Sequence, residues 1–534
     1  MVRISAKTVK LPLKFFMIAS LTLATYSRAL AKEYVIKLKE GQSFQDTVYN
    51  LNSEKNLKVY DTHETGKLVL VDLLEEDAKE IENQLTQLKS LQDVDYIVPN
   101  IKFHTFDTPN DPQLSSQWAL AKVNAMDAWE IQVGSPNVVI AVIDTGINWK
   151  HEDLIDHIWS NEGETPGNGV DDDQNGFVDD VRGWDFRDKD NNPDDETSSK
   201  NPGHGTHCAG IIGAISNNNK GISGIARKVS LMPVRFLGAD GSGDLMSAAK
   251  AIDYATNNGA DIISASWGAQ VARANVGPIL EAIERAGEKG VIFVAAAAND
   301  GRNNDTREVY PSNAGFDNVI SVAASDPDDK KPSWSNFGKS TVDLASPGLN
   351  ILSTVPVNKY QNLSGTSMAT PLAAGTVALI LNQAQEDGRL LKPIEVRSIL
   401  QSTGAKVEIE TACNCRIDVA AALENVTKEA LTVVPNGHTL EVNTSKQFYG
   451  IGGQAPYKFS SSDTSIASIA EDGTLTAVAN GETIITITDA NGDSAQSSKI
   501  YVGKTTGGGG GGQCPFGPLC DVMCQIDPTL PWCS

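Results

Sequence analysis

Apolar runs the length of a β-strand recur through residues 108–428, and longer helical stretches separate them. The runs occupy residues 138–143, 261–265, 291–297 and 319–323, and the helical stretches include residues 244–256 and 278–289. A strand that is apolar on both faces must be covered on both faces, as in a parallel sheet between two layers of helices. We therefore predict an α/β domain with a doubly wound, mostly parallel sheet. Functional side chains are expected at the carboxyl ends of its strands.

The segments around this domain differ from it in composition. Residues 32–107 have the pattern of a small α+β unit that ends in a polar, cleavable junction. Residues 430–502 hold short runs rich in Thr, Ser, Ile and Val with Asn-Gly and Asp-Gly turns between them, which predicts an all-β sandwich. Residues 503–512 include six consecutive glycines and are predicted to be a flexible linker. Residues 513–534 form a cysteine-rich tail that is too small for a core of its own.

The seven cysteines are distributed unevenly along the chain. Four of them lie in the tail, where two disulfides with three possible connectivities are expected. Cys413 and Cys415 are expected to be too close for an easy mutual disulfide. Cys208 is expected to be a free thiol.

Residues 1–31 have the features of a secretory signal peptide. Residues 1–14 are basic, residues 15–26 are apolar, and Ala29-Leu30-Ala31 provides a small-residue cleavage site; a buried amphipathic helix is the alternative. The segment carries five basic and no acidic residues, so its removal takes the formal net charge from −23 to −28. This acidity excludes nucleic acid as an expected partner and suits a secreted protein that binds divalent cations. No other stretch reaches the ~20 apolar residues that a membrane span requires.

Residues 365–371 (GTSMATP) place Ser367 just ahead of a long apolar helical pattern. Proline is tolerated in the first turn of a helix, so Ser367 is expected at a helix N-terminus, where free amides can stabilise an oxyanion. An ordinary N-cap is the alternative interpretation of an isolated serine.

Three further motifs supply the groups that a nucleophilic serine needs. Asp144 ends an apolar run, His204 lies in a glycine-flanked turn before an apolar helix, and Asn299 follows another apolar run. Acyl transfer requires a nucleophile, a base, a carboxylate that orients the base, and donors for the oxyanion. The Asp-Thr-Gly motif at Asp144 is also typical of aspartic proteases, but those enzymes pair two aspartates and this chain has no second copy.

Together these motifs resemble the subtilisin-like serine proteases, and most closely their thermitase-like members. The resemblance rests on Asp144-Thr145-Gly146, on residues 204–210 (HGTHCAG) and on residues 365–371, and it covers roughly residues 108–425. It implies a secreted serine endopeptidase in which Asp144 orients the base, His204 acts as general base and then acid, and Ser367 attacks the peptide carbonyl. Asn299 would supply an oxyanion-hole donor.

The same resemblance implies where the substrate binds. An extended peptide would pair with one segment as an added strand, and a second segment would form the opposite wall of the specificity pocket. These residues are Ser266, Trp267, Gly268, Ala296, Ala297 and Ala298. Walls of Ala and Gly suit large apolar residues at P1, the position before the scissile bond. Ala298 stands where the family usually has glycine.

Carboxylates at short intervals between the Asp144 and His204 motifs predict structural calcium. Oxygen ligands at alternate positions with a glycine at the turn are typical of a hard-cation loop, but the twelfth position is Arg182, which excludes an EF-hand. A solvated acidic loop is the alternative. The predicted ligands of this loop are Asp171, Asp173, Asn175, Asp179 and Asp180. By resemblance to the family, Asp153 and the pair Asp188 and Asp190 are further candidates.

The resemblance also implies a precursor. Residues 32–107 resemble a propeptide that assists folding and then inhibits the enzyme, rather than a permanent N-terminal domain. Residues 430–502 resemble a bacterial immunoglobulin-like repeat. The expected partners are protein or peptide substrates and the chain's own propeptide, with the mature protein a monomer. A non-catalytic adhesin on a protease fold is the alternative function.

Overall fold

The computed structural model describes residues 33–39, 41, 43–54, 56–73, 78–100 and 108–503. The chain divides into two compact units, Met1–Phe106 and Asp107–Ser534. The predicted signal peptide, the polar junction, most of the glycine linker and the cysteine-rich tail lie outside the described residues.

The N-terminal unit is a four-stranded antiparallel sheet with two helices. Its elements are β1 (Glu33–Leu38), α1 (Phe44–Asn52), β2 (Leu57–His63), β3 (Leu68–Leu73), α2 (Ala78–Ser90) and β4 (Val94–Pro99). The strand order is β2-β3-β1-β4. Alternate residues of β1 and β3, such as Ile36 and Val71, are buried, so one face of the sheet forms the core of the unit. This agrees with the α+β pattern of the sequence.

The second unit contains a nine-stranded sheet in the order β14-β15-β11-β10-β9-β8-β5-β7-β6. Its strands are β5 (Gly134–Asp144), β6 (Trp184–Asp185), β7 (Lys228–Arg235), β8 (Ile262–Ala265), β9 (Ile292–Ala296), β10 (Val319–Ser325), β11 (Leu344–Pro347), β14 (Ala405–Lys406) and β15 (Cys415–Arg416). A hairpin of β12 (Ile351–Val355) and β13 (Lys359–Leu363) lies outside the sheet. Every pairing in the sheet is parallel except that of β14 with β15.

Helices cover both faces of this sheet. They are α3 (Trp118–Lys122), α4 (Ala125–Trp129), α5 (His204–Gly213), α6 (Leu245–Asn257), α7 (Gly277–Glu288), α8 (Thr366–Glu386), α9 (Pro393–Thr403) and α10 (Val419–Thr427), with short 3₁₀ turns at Leu114–Ser116, Ile155–His157 and Arg273–Asn275. One core cluster joins the sheet to α5 and α8, and a separate cluster joins it to α6 and α7. Alternate residues of the apolar strands enter the two clusters, which is why those strands lack a polar face. The predicted doubly wound α/β class is confirmed.

Residues 432–502 form short strands around a third core. They are β16 (Thr432–Val434), β17 (His438–Leu440), β18 (Ser445–Gln447), β19 (Tyr449–Ile451), β20 (Lys458–Ser461), β21 (Ala467–Ile469), β22 (Thr474–Ala477), β23 (Gly481–Thr483), β24 (Ile485–Thr488), β25 (Ser494–Gln496) and β26 (Ile500–Val502). They pair in small sheets that are mostly antiparallel, and Phe448, Leu475 and Ile487 are fully buried between them. The predicted all-β sandwich is confirmed.

The sandwich contacts the α/β domain through polar groups. The Tyr449 hydroxyl donates to Glu395 Oε1 at 3.1 Å, and Lys446 Nζ lies 3.1 Å from an Asp317 carboxylate oxygen. The Asn436 amide donates to Ser398 Oγ at 3.2 Å. Contacts of this kind fix the sandwich against α9 and the loop before β10.

The expectation for Cys413 and Cys415 is wrong, because these two cysteines form a disulfide with each other. Asn414 between them adopts a left-handed backbone conformation, with φ 45°. The resulting turn brings the two Cα atoms to 5.1 Å, within the range that a disulfide requires. Cys208 is a free, buried cysteine, as expected.

Candidate active site

Asp144 lies at the carboxyl end of β5, an interior strand of the sheet. Residues 140–143 ahead of it are fully buried because β7 and β8 flank the strand. Asp144 is also fully buried; its Oδ1 accepts a hydrogen bond of 2.8 Å from the Thr145 amide, and its Oδ2 has no partner. A buried carboxylate of this kind strongly favours a cationic neighbour.

His204 is the first residue of α5, and its imidazole reaches that carboxylate. Gly203 before it has φ 107°, a conformation that side chains rarely adopt, and this turn directs the ring toward β5. His204 Nδ1 lies 2.8 Å from Asp144 Oδ1, which leaves Nε2 as the free acceptor of the ring. Burial lowers the pKa of His204, but the Asp144 charge, the hydrogen bond to Asp144 and the Asp195 charge outweigh it, so the pKa lies above its usual value. The ring is therefore a base supported by a carboxylate.

Ser367 is the second residue of α8, as the sequence predicts for a serine at a helix start. Its Oγ donates to the Ser266 carbonyl at 3.0 Å, and no hydrogen bond joins it to His204. Both side chains line one cavity. Nucleophile–base hydrogen bonds often form only when substrate is bound, so this geometry agrees with a resting site.

The proline of the serine motif lies deeper in the helix than the sequence suggests. Helix α8 begins at Thr366, so Pro371 lies inside it rather than in its first turn. Proline has no N–H for the carbonyl four residues earlier, which is that of Ser367. The Ser266 hydroxyl donates to this carbonyl at 2.9 Å, and Cys208 Sγ donates to it at 3.4 Å. Pro371 thus frees a backbone group that ties the serine to β8 and α5.

Asn299 follows β9 and is held by the residue before Ser367. Its Oδ1 accepts from the Thr366 amide at 2.8 Å and from Thr366 Oγ1 at 3.0 Å. The amide oxygen is thereby occupied, and the Nδ2 group is left to donate to a ligand. Thr366 belongs to the motif GTSMATP and directly precedes Ser367, so its place in that motif is the sequence signal for its role.

The cavity that these residues line has a volume of about 390 Å³. Of the predicted substrate-binding residues, Ser266, Trp267, Gly268, Ala296 and Ala298 line it. Eight residues outside the predicted set also line it, namely Thr145, Lys200, Asn201, Pro202, Leu237, Gly241, Asp300 and Thr366. Six of them lie within four residues of Asp144, His204, Asn299 or Ser367 in the chain. Leu237 and Gly241 come from a loop distant from those residues, and no sequence spacing indicates their proximity.

Ala297 and Ala298 have different environments. The Ala297 side chain is fully buried and packs with Ala323 and Val342, so the structure does not bring it to the cavity. Successive residues leaving a strand point to opposite sides, which explains the difference from Ala296 and Ala298. Ala298 has φ 89°, a left-handed conformation in which a Cβ atom is strained. This explains why glycine is the residue expected there.

The predicted acidic loop brings together fewer carboxylates than the sequence suggests. Oxygens of Asp173, Asp180 and Glu164 all lie within 4.8 Å of one another. Asp180 is fully buried, and burial raises the pKa of its carboxyl. Asn175 Nδ2 donates to both aspartates, at 3.1 and 3.0 Å. Glu164 lies seven residues before the predicted loop and was missed.

Asp171 and Asp179 face backbone amides instead of this acidic cluster of Glu164, Asp173 and Asp180. Asp171 accepts from the amides of Asn175 and Gly176, at 3.0 and 2.8 Å. Asp179 accepts from the amides of Asn168 and Gly169, at 3.0 and 2.9 Å. Both carboxylates therefore close turns of the loop.

The remaining predicted metal ligands lie in two other places. Asp153 is fully buried; its carboxylate accepts from Asn218 Nδ2 at 2.6 Å and from the Tyr360 hydroxyl at 2.8 Å. Asp111, which the sequence analysis missed, accepts from the backbone of the same Asn218. Asp153 also raises the pKa of Asp111, though less than burial does.

Asp188 and Asp190 lie near an arginine. Asp188 Oδ2 accepts from Arg235 Nη1 at 2.9 Å, and the buried Asp185 pairs with the same guanidinium. Asp190 Oδ1 accepts from the Asn192 amide at 3.0 Å. Arg235 supplies the positive charge here, and the structure does not bring Asp188 and Asp190 into an acidic group with the loop.

In the described ranges, no helix is long and apolar enough to cross a membrane.

The sequence model of the subtilase family matches residues 135–452, and that of the intimin immunoglobulin-like domain matches residues 443–491. The chain is 40% identical to thermitase from Thermoactinomyces vulgaris over 289 residues, which are 54% of this chain and 90% of thermitase.

Two further relatives extend the comparison. A thermophilic serine proteinase from Bacillus sp. (strain AK1) is 36% identical over 59% of this chain and 68% of its own length. The halolysin-like extracellular serine protease Nep from Natrialba magadii is 33% identical over 66% of this chain and 60% of its own length. The family match covers more than half of the chain and includes Asp144, His204, Asn299 and Ser367. The chain therefore belongs to the subtilase family of serine proteases.

Proposed function

We propose that this protein is a secreted serine endopeptidase that works through Asp144, His204 and Ser367. The observation that carries the proposal is the 2.8 Å contact of His204 Nδ1 with the buried Asp144, in a cavity that Ser367 and Asn299 also line. This is the arrangement that a base, its orienting carboxylate, a nucleophile and an oxyanion donor require.

The chemistry follows from these positions. Ser367 Oγ gives up its hydrogen bond to the Ser266 carbonyl and transfers its proton to His204 Nε2. The oxygen then forms a bond with the carbonyl carbon of the substrate peptide. Asn299 Nδ2 and the Ser367 amide at the start of α8 donate to the oxyanion. His204 then protonates the leaving amine, and an acyl-enzyme remains. Water then attacks the carbonyl carbon of the acyl-enzyme while His204 accepts the proton of the water. His204 returns a proton to Ser367 Oγ, and the peptide product with its new carboxyl group is released.

The cleft favours an extended peptide. Residues 266–268 follow β8 and border the cavity, so a substrate strand can pair with their backbone. Ala296 and Ala298 form a small, apolar part of the wall. We propose broad specificity with an apolar residue at P1.

Calcium is proposed as a structural ion at the acidic cluster of Glu164, Asp173 and Asp180. Ca²⁺ binds oxygens at about 2.3–2.6 Å, so oxygens within 4.8 Å of one another can share one ion. No Lys or Arg of the described ranges forms an ion pair with these three carboxylates, so their charge suits a cation. Bound calcium would hold the loop of residues 161–180 in one conformation. Asp153, with Asp111 and Asn218, is a second proposed site.

The proposal includes synthesis as a precursor. The N-terminal unit has its own core, which supports a separately folding propeptide over residues 32–107 that inhibits the enzyme and is removed by autoprocessing. Secretion is proposed from the sequence of residues 1–31, and one relative is an extracellular protease by name. The mature enzyme is proposed to be a monomer.

The intimin-like match of residues 443–491 favours a second candidate, a surface-binding protein that does not cleave peptides. A fluorophosphonate probe separates the two candidates, because it reacts only with an activated serine. We expect the wild-type protein to be labelled and to cleave casein, and Ser367→Ala to do neither. The Ser364→Ala variant is the matched control, since Ser364 lies outside the helix and the cavity. An unlabelled wild-type protein that had lost residues 1–107 would support the binding protein.

A further inference from the structure

A second buried carboxylate, that of Asp195, lies beside the catalytic groups. Its Oδ1 accepts from Thr145 Oγ1 at 2.8 Å and from Asn201 Nδ2 at 3.2 Å. Its Oδ2 accepts from the Thr206 amide at 2.9 Å and from Thr206 Oγ1 at 2.7 Å. No Lys or Arg of the described ranges pairs with it. Four donors to one buried carboxylate form a built environment for a negative charge.

The partners of Asp195 are the residues that flank the catalytic groups. Thr145 follows Asp144, and its hydroxyl also accepts from the Gly205 amide at 2.9 Å. Thr206 lies two residues after His204. Asn201 accepts from the His204 amide at 2.8 Å through its Oδ1, while its Nδ2 donates to Asp195. Asp195 therefore joins the end of β5 to the start of α5.

The charges around the His204 ring can be named. Asp144 and Asp195 both act on it from buried positions. On its own helix, burial lowers the pKa of His207 to about 3 and raises that of the Cys208 thiol, so both are neutral near pH 7. Lys200 and Asp300 line the same cavity at its exposed rim. The buried charges near His204 are thus two carboxylates.

Burial also acts on Asp195 itself. It raises the pKa of the carboxyl to about 6, against the hydrogen bonds from Thr206 and Thr145, which lower it. Asp195 is therefore ionised at neutral and alkaline pH, where a subtilase-type base must be neutral in the resting enzyme. Its charge is present when His204 accepts a proton.

We infer that Asp195 is a positioning residue for the acyl-transfer step. It holds the Asp144 turn against the His204 helix, and its negative charge stabilises the imidazolium that forms when Ser367 gives its proton to His204. The inference rests on the proposed roles of Asp144, His204 and Ser367. Asp195 gives and takes no proton in the reaction; the proton passes from Ser367 to His204 and then to the leaving amine.

The isosteric change Asp195→Asn tests this inference in the mature enzyme with a peptide substrate. We expect kcat to fall by about 10- to 100-fold with less than a twofold change in KM, since misplaced catalytic groups impair the chemical step more than binding. Removal of a negative charge also lowers the pKa of His204. The acid limb of the kcat/KM profile should therefore move to lower pH. A purely structural role would lower activity at every pH and leave the limb in place.

Asp194→Asn is the matched control. Asp194 is the adjacent carboxylate, but its Oδ1 accepts from Asn148 Nδ2 and from the Asp195 amide rather than from groups beside Asp144 and His204. The acid limb of the kcat/KM profile of the Asp194→Asn variant should coincide with that of the wild type. Coincident limbs for Asp195→Asn and the wild type would overturn the inference, provided that Ser367→Ala is inactive. An active Ser367→Ala variant would instead overturn the proposed catalytic roles.

Thr145→Val provides a second test, including for the case in which Asp195→Asn does not fold. It removes the hydroxyl between Asp195 and the Gly205 amide but keeps the charge of Asp195. We expect about a tenfold lower kcat with an unchanged KM. An unchanged kcat would count against the positioning role.

Discussion

Two groups of carboxylates in the α/β domain differ in the origin of their neutralising charge. At the end of β5, Asp144 contacts the imidazole of His204, a cation supplied by the chain itself. In the acidic cluster, Asp173 and Asp180 receive only amide and hydroxyl donors, such as Asn161 and Tyr254. The first group is complete within the protein. The second is proposed to take its cation from solution.

Because of this difference, we expect the Asp144–His204 pair to affect mainly activity and the acidic cluster to affect mainly stability. A proton that moves on and off His204 can take part in a reaction, because the cation is made and lost within each cycle. An ion bound by Asp173 and Asp180 has no such cycle and acts on the free energy of unfolding. Asp188 provides an intermediate case, since it pairs with Arg235, a permanent cation that also pairs with Asp185 and Glu196. The comparison can be tested at each of these places.

The largest effect is expected for His204→Ala. It removes the proposed base and leaves Asp144 without its imidazole partner, so kcat should fall by about 10⁶-fold, a magnitude taken from subtilisin, a member of the same family. The melting temperature should still rise when calcium is added, because the acidic cluster is untouched. Peptide hydrolysis and calorimetry measure the two effects. A calcium response lost together with activity would show that the two groups are coupled.

The next largest effect is expected for removal of calcium. An ion at 100 times its dissociation constant stabilises the folded state by about 2.7 kcal/mol, which corresponds to roughly 5 °C in a domain of this size. The Ser367→Ala variant should be used, because it cannot digest itself. Its melting temperature is expected to fall in excess chelator and to recover with calcium. Identical melting curves in chelator and calcium would contradict the proposed ion.

Paired variants locate that ion. Asp180→Asn removes a buried ligand from the acidic cluster, and most of the shift in melting temperature between calcium and chelator should disappear. Asp188→Asn is the matched control, because Asp188 pairs with Arg235 and lies outside the acidic cluster. It should keep the full calcium response. The opposite result would place the ion near Asp188.

A smaller effect on the unfolding free energy is expected when the pH is changed in the presence of chelator. Burial raises the pKa of the Asp180 carboxyl. A carboxyl with a raised folded pKa contributes stability that is full below its unfolded pKa of about 3.9 and is lost as pH rises through the folded pKa. The difference in unfolding free energy between the calcium-free Ser367→Ala protein and its Asp180→Asn derivative should therefore change in this window. Calcium should remove the change near neutral pH, since it holds Asp180 ionised.

The pKa of His204 is also raised in the folded protein, but the consequence for the enzyme is different. Its raised pKa means that its contribution to stability is lost as pH rises through the folded value, while activity appears over the same range because the base must be neutral. Stability from this residue and activity should thus change in opposite directions with pH. Denaturation and kinetic titrations of the same protein measure both.

The strands and the positions of the site residues at the ends of strands and helices could be predicted because they depend on local sequence. The run at residues 138–143 is apolar throughout since β5 is buried on both faces, and Asp144 stands out as its polar end. Glu164 and Asp195 could not be predicted, because each meets its partners only after loops of unrelated sequence fold together. The position of Pro371 inside α8 could not be predicted, because the hydroxyl and thiol donors that satisfy the carbonyl it leaves free come from two other elements.

The smallest effect is expected at Ala298, where the resemblance to the family predicts glycine. A residue with a Cβ atom at φ 89° carries about 1–2 kcal/mol of strain. Glycine relieves it but has more freedom in the unfolded chain, which costs about 0.4–1 kcal/mol. Ala298→Gly should therefore raise the melting temperature by about 1–2 °C. It should also lower KM for substrates with large apolar P1 residues, because the cavity widens.

Val357→Gly is the matched control for Ala298. Val357 also has a left-handed backbone, with φ 68°, but it is 78% exposed and does not line the cavity. It should show a similar gain in stability with unchanged kinetics. If Ala298→Gly melted below the wild type while Val357→Gly melted above it, the Ala298 Cβ would contribute packing that outweighs its strain. The specificity pocket would then depend on that methyl group for its shape.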